Sequence, residues 1–304
     1  MSNVRRVVLL GTMLATLAAA MLVPRPHHGA APAETDAAAP SVMLSGQGQG
    51  HHESAPPNEG IGDQPSASDG YIIEPRDTRF SPGRMQTLAF QIVDAAGRPV
   101  TRFERTHEKL LHLIVVRHDL TGYQHVHPGL GARGVWTVPL TLPKPGQYRA
   151  FADFATPKGA YALSVDLLAA GRYAPTRLAS PHGIARVDGY TVTLEAHARV
   201  EGAVWAAQLR FQVERNGRPV VLEPYLGAKG HLVALRAGDL AYSHVHPQDQ
   251  PGSPGHAHES SSSARSGNLI GFQVTFPGSG RYRLFLQFQR EGHVHTAAFT
   301  FPLP

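Results

Sequence analysis

The 304-residue sequence predicts an all-β protein built from two tandem sandwich modules. Three observations carry that expectation. The chain repeats itself at near-constant spacing, its apolar residues alternate with polar ones at period two, and from residue 69 onward no stretch keeps a helical period.

The repeat is read directly. Asp69-Gly70-Tyr71 recurs as Asp188-Gly189-Tyr190, and Gly97-Arg98-Pro99-Val100 as Gly217-Arg218-Pro219-Val220. His112-Leu113-Ile114-Val115-Val116-Arg117 matches His231-Leu232-Val233-Ala234-Leu235-Arg236, and His125-Val126-His127-Pro128 returns unchanged as His244-Val245-His246-Pro247. The offset is 119 or 120 up to this point and 134 at Tyr148-Arg149 against Tyr282-Arg283. The second copy therefore carries an insertion of about 15 residues, rich in Ser and Gly, with His256 and His258 inside it.

Period-two runs place strands within each copy. Tyr148, Ala150, Ala152 and Phe154 alternate with Arg149, Phe151 and Asp153, and Tyr282, Leu284, Leu286 and Phe288 with Arg283, Phe285 and Gln287. Each reads as a strand with one buried face. Leu209, Phe211 and Val213 do the same ahead of Asn216-Gly217, a hairpin-type turn. Turn signals at regular spacing and modules of roughly 110 residues point to immunoglobulin-like sandwiches.

The N-terminus is different in kind. Arg5 and Arg6 precede an uncharged apolar run from Val7 to Val23, the pattern of an export signal or an uncleaved anchor. Ala31-Pro32-Ala33 offers a small-residue cleavage site. The expected organisation is 1–23 signal or anchor, 24–68 disordered linker, 69–170 first module, 171–187 inter-module linker, and 188–304 second module with an inserted loop at 248–266. The chain is thus expected outside the cytoplasm, secreted or membrane-anchored, touching membrane only through residues 1–23.

Composition narrows the function. Apolar residues are 42% and charged residues 17%, as in a folded protein. There is no cysteine, which excludes disulfides, thiolate zinc sites, iron–sulfur clusters and cysteine nucleophiles. The net charge is +5 with neutral histidine, but the basic residues form no run, so nucleic acid is not an expected partner. No nucleophile elbow, P-loop or dinucleotide fingerprint is present, and the protein is not expected to be an enzyme.

The 18 histidines point to metal. His27-His28 and His51-His52 lie in the tether. Residues two apart on a strand share a face, so His244 and His246 project together while Val245 packs inward and Pro247 ends the strand near the mouth of the sandwich. His293 and His295 share a face with Ala297, Phe299 and Phe301, and His231 shares one with Val233 and Leu235. These five form the fuller expected ligand set. His112, His125 and His127, with His107, form the corresponding set in the first module, where Ala160 and Ala162 take the places of His293 and His295. Imidazole alone, with only Met43 and Met85 beyond the export segment, favours Cu(II) or Zn(II) over Cu(I). Structural roles compete: His118, His182 and His197 read as hydrogen-bonded fold residues, and His112 and His231 admit the same reading.

The stretch Glu223 to Gly227, followed by Gly230 to Arg236 and His244 to Pro247, resembles an exported bacterial family with His-Val-His-Pro signatures. The first module resembles the same unit. More distantly, residues 69–304 are similar to copper-associated envelope sandwiches of the CopC-like or YtkA-like kind. The expected function is extracytoplasmic binding of Cu(II) or Zn(II), for sequestration or delivery to an envelope transporter or partner protein. The alternative is a structural or interaction module pair of the envelope, without metal, of which a pH-responsive protein is a variant.

Overall fold

The computed structural model describes residues 67–68, 70–245 and 267–304; the expected export segment, most of the tether and the inserted loop lie outside them. Among the described residues no helix is long and apolar enough to cross a membrane, and the one helical element is a single 3-10 turn at Ala132–Gly134.

The first module comprises β1 (Ala67–Ser68), β2 (Tyr71–Pro75), β3 (Arg79–Phe80), β4 (Met85–Val93), β5 (Leu111–Arg117), β6 (Gln124–Val126), β7 (Gly129–Leu130), β8 (Val135–Thr141), β9 (Gly146–Thr156) and β10 (Gly159–Ala169). They form two sheets, ordered β1-β2-β4-β8-β7 and β3-β10-β9-β5-β6. The second module comprises β11 (Ile184–Val187), β12 (Tyr190–Glu201), β13 (Val204–Arg215), β14 (Arg218–Pro219), β15 (His231–Arg236), β16 (Tyr242–Val245), β17 (Leu269–Phe276), β18 (Gly280–Arg290) and β19 (His293–Leu303). Its sheets are β11-β12-β13-β14, with β17 also on β13, and β16-β15-β18-β19. The fold is two tandem all-β sandwiches, as the repeat and the alternation predict.

The Asp-Gly-Tyr repeat at 188–190 proves to mark the hairpin after the module's first strand rather than the module's start, and Gly70 and Tyr71 follow β1 in the same way. Asp188 and Gly189 have φ of 48° and 81°, as a tight hairpin turn requires, and join β11 to β12. The second module accordingly begins at Ile184, inside the segment expected to be linker, and β1 lies within the expected tether. Strands this short carry too little alternation to be seen in sequence. Asn216 and Gly217, with φ of 52° and 69°, form the expected turn after β13.

Each sandwich has its own core, around Phe90, Trp136 and Phe154 in the first and Phe211, Phe272 and Phe299 in the second. A third apolar cluster joins the two modules: Ile114, Val116 and Phe151 of one sheet pack with Val233, Leu235 and Phe285 of the other. This corrects the expectation of one buried face for β9 and β18, whose Phe151 and Phe285 are buried on the outer face, while β13 keeps a single buried face. On β5, Leu111, Leu113 and Val115 enter the module's own core while Ile114 and Val116 face the other module, so the strand is buried throughout.

The contact has local two-fold character. Tyr123 stacks on Phe285 at 4.1 Å, and Tyr242 stacks on Phe151 at 4.6 Å. The tyrosines are equivalent positions of the repeat, as are the phenylalanines, so each module presents the same pair to the other. The linker is tied down as well. Arg117 is buried, pairs with Asp119 at 3.1 Å, reaches Ala174 O and lies over the Tyr173 ring, while the Thr176 N–H donates to Asp119 Oδ2 at 2.7 Å. Leu178 joins the inter-module cluster.

This packing makes the modules unfold together. Trp136 and Trp205 lie one in each core, so single-tryptophan variants report each module separately. In denaturant the two signals are expected to coincide. Phe285→Ala should cost about 3–5 kcal/mol and separate them. Two transitions already apart in the otherwise unaltered chain would contradict this coupling.

Candidate metal centre

The site begins at the turn before β5. Thr106 and Lys109 bridge through Thr106 N–H to Lys109 O at 2.9 Å and Lys109 N–H to Thr106 O at 3.1 Å, with His107 and Glu108 at φ of 50° and 67° between them. Thr106 O also lies 3.0 Å from His112 Nε2. A carbonyl oxygen only accepts, so this ring nitrogen donates and Nδ1 keeps its lone pair. The second module repeats the device: Tyr225 bridges Ala228, Leu226 takes the φ of His107, and His231 Nε2 donates to Tyr225 O at 3.1 Å.

β6 supplies two more imidazoles. It pairs with β5 so that His125 lies opposite Ile114 and His127 follows just beyond the strand, while Val126 turns to the core. His112 Nδ1 is 2.9 Å from His125 Nε2 and 3.2 Å from His127 Nε2. His125 Nδ1 lies 2.6 Å from the side-chain oxygen of Gln287, in the second module, and must donate to it. The unprotonated nitrogens of His112 and His125 therefore face each other. Two lone pairs at that distance repel unless a cation lies between them. Nitrogen separations near 3 Å approach the roughly 3.3 Å edge of a tetrahedron built on metal–imidazole bonds of about 2.0–2.1 Å. His112, His125 and His127 are the group of potential ligands that the geometry defines among the described residues.

Two further rings complete the cluster. His231 lies 6.3 Å from His112 and 6.1 Å from His125, centroid to centroid, and His107 lies 5.6 Å from His231. Burial pushes His125, His127 and His231 down to about 3, with the neighbouring histidines adding to the effect, and burial also lowers His107 and His112. The rings are held neutral, the form that binds metal. Asp153, paired with His112 across β5 and β9, is raised to about 6 by burial and accepts a 3.4 Å hydrogen bond from Tyr242 of the other module.

The structure thus brings together His107, His112, His125, His127 and His231, on the outer faces of the two facing sheets rather than at the mouth of either sandwich. His246 and the side chain of His244 lie outside the described residues. His293 and His295 do not join His231. His295 pairs with Phe288, on the core face of its sheet, where its ring meets Phe288 and Tyr190 and its Nδ1 lies 2.8 Å from Asp188. His231 shares the opposite face with Val233 and Leu235, and a strand's alternation forbids the two sets from meeting. The same parity corrects the first-module equivalents, which are Gly159 and Tyr161 rather than Ala160 and Ala162. Gln287 was missed as a site residue, although the repeat sets it at the position of Asp153.

The pH dependence follows in sign. Imidazoles lowered in the fold contribute stability that is complete above their unfolded value of about 6.5 and is lost as pH falls toward about 3. Asp153 acts oppositely between its unfolded value of about 4 and about 6, but it is one group against five. With chelator present, the Tm is expected to fall steadily from pH 7 to 4.5, and His125→Gln with His127→Gln to flatten the slope. A Tm that stays level or rises over that interval would contradict the neutral cluster.

Among solved structures, the Escherichia coli adhesin FdeC is 14% identical over 78% of this chain and 65% of its own, at a TM-score of 0.25. The Yersinia pseudotuberculosis adhesin InvE is 11% identical over 77% and 59%, at 0.22. Escherichia coli alpha-2-macroglobulin is 10% identical over 79% and 14%, at 0.26. The chain spans less than two thirds of each, and likeness at this level carries no argument about function. The expected kinship with CopC-like or YtkA-like sandwiches finds no support in these matches. No curated protein matches the chain. The family model described as Domain of unknown function (DUF8832) matches residues 66–169 and again 185–303, one stretch on each module, and the chain belongs to that family.

Proposed function

We propose that the protein is a non-enzymatic, extracytoplasmic metal-binding protein that takes one Cu(II) or Zn(II) ion on His112, His125 and His127. The observation that carries this reading is the 2.9 Å approach of His112 Nδ1 to His125 Nε2, with both rings' protons committed elsewhere. Donors that are all nitrogen suit a borderline divalent ion. Three protein ligands among the described residues suit a site for sequestration or handover of an ion to an envelope partner. His231 and His107 stand close enough to assist. The apolar segment at 1–23 supports an envelope location.

A second reading, a structural or interaction module pair without metal, is favoured by one observation. The reciprocal tyrosine–phenylalanine stacks and the pinned linker hold the modules together without any ion.

Titration of the full-length chain against a competing chelator separates the two. One tight ion per chain is expected above weaker tail binding. At about 100-fold excess over Kd the ion should stabilise the fold by about 2.7 kcal/mol. His112→Ala with His125→Ala should weaken the tight site by at least about 100-fold. Unchanged affinity in the double variant, or no thermal shift with either ion, returns the protein to the second reading.

A further inference from the structure

We infer that the second module controls the first module's metal site through Gln287, a positioning residue that decides which nitrogen of His125 carries the proton. This rests on the metal-binding reading. Gln287 stands on β18 opposite His231, buried, on the sheet face turned toward the first module. Its amide makes two contacts: Nε2 donates to Thr296 Oγ1 at 3.3 Å, and Oε1 lies toward His125 Nδ1 at 2.6 Å.

An imidazole in its neutral form has one proton to place. With the Gln287 oxygen accepting, the proton sits on Nδ1, and Nε2 offers its lone pair toward His112 Nδ1. If the acceptor is removed or the amide is turned to donate, the proton moves to Nε2. There it forms an ordinary hydrogen bond to His112 Nδ1, which is a lone-pair acceptor because Thr106 O holds the other nitrogen's proton. The same two rings then form a closed pair that a metal must break. One amide on the opposite module therefore selects between a metal-ready site and a closed one. The modules are also tied by Tyr242 to Asp153, at the position equivalent to Gln287, so a cross-module contact falls at this place in both copies. Affinity for the ion and docking of the modules become reciprocally linked.

The test uses the full chain with Zn(II) and a chromophoric chelator, and long-range 15N correlation spectra of the histidine rings without metal. Gln287→Met keeps the bulk and removes the acceptor; Gln287→Glu keeps an acceptor that cannot turn. Gln287→Met should bind about 10–100-fold more weakly and show His125 protonated on Nε2. Gln287→Glu should bind within about 3-fold of the unaltered chain, or tighter, and keep the proton on Nδ1. Gln287→Met that binds normally or keeps the Nδ1 proton, or Gln287→Glu as weak as Gln287→Met, overturns the inference. His112→Ala is the control. If it loses the ion while Gln287→Met does not, only the positioning role falls. If it binds as the unaltered chain does, the metal-binding reading falls with it.

Discussion

The structure depends on the packing of one sheet of each sandwich against the other. β5 and β15 are covered on both faces, by their own core and by the other module, and nothing in a single sandwich would cover the outer one. The tyrosine–phenylalanine stacks are worth about 0.5–1.5 kcal/mol each beyond the area they bury. Because the repeat supplies both partners of each stack, the interface is self-complementary in the way of a two-fold dimer, joined here within one chain.

That packing creates the electrostatics of the histidine cluster. An imidazole on the outer face of a lone sandwich would sit in water and titrate ordinarily. Beneath a second sheet, His125, His127 and His231 lose hydration, and the charged form becomes costly. Protons are then allotted by fixed acceptors: Thr106 O for His112, Tyr225 O for His231 and Gln287 for His125. Two of these three acceptors are backbone carbonyls from the same turn in each copy, so the repeat builds the tautomers together with the fold.

The symmetry is broken where chemistry differs. Asp153 and Gln287 are equivalent positions, one ionisable and the other a neutral amide, and they receive Tyr242 and His125 respectively from across the interface. His107 is matched by Leu226, which keeps the positive φ without the imidazole. A duplicated scaffold has thus placed unlike side chains at like positions around one cluster.

The sequence by itself determined the strands, the duplication and the pairing of neighbours along a strand. Period-two alternation and the repeat are local properties, and β9, β13 and β18 appear where the alternation runs. It also determined that Val126 and Val245 face inward, since that depends only on strand parity. The same parity sets Gly159 and Tyr161 at the places of His293 and His295, and carried across the sheet it puts His295 on the face opposite His231. Only the tertiary structure decided that His231 of the second module joins the histidines of the first. Which outer face meets which is set by docking over more than a hundred residues of separation, and no spacing along the chain encodes it. Gln287 shows the reason most directly: it lies 162 residues from His125 in sequence, yet its oxygen places that ring's proton.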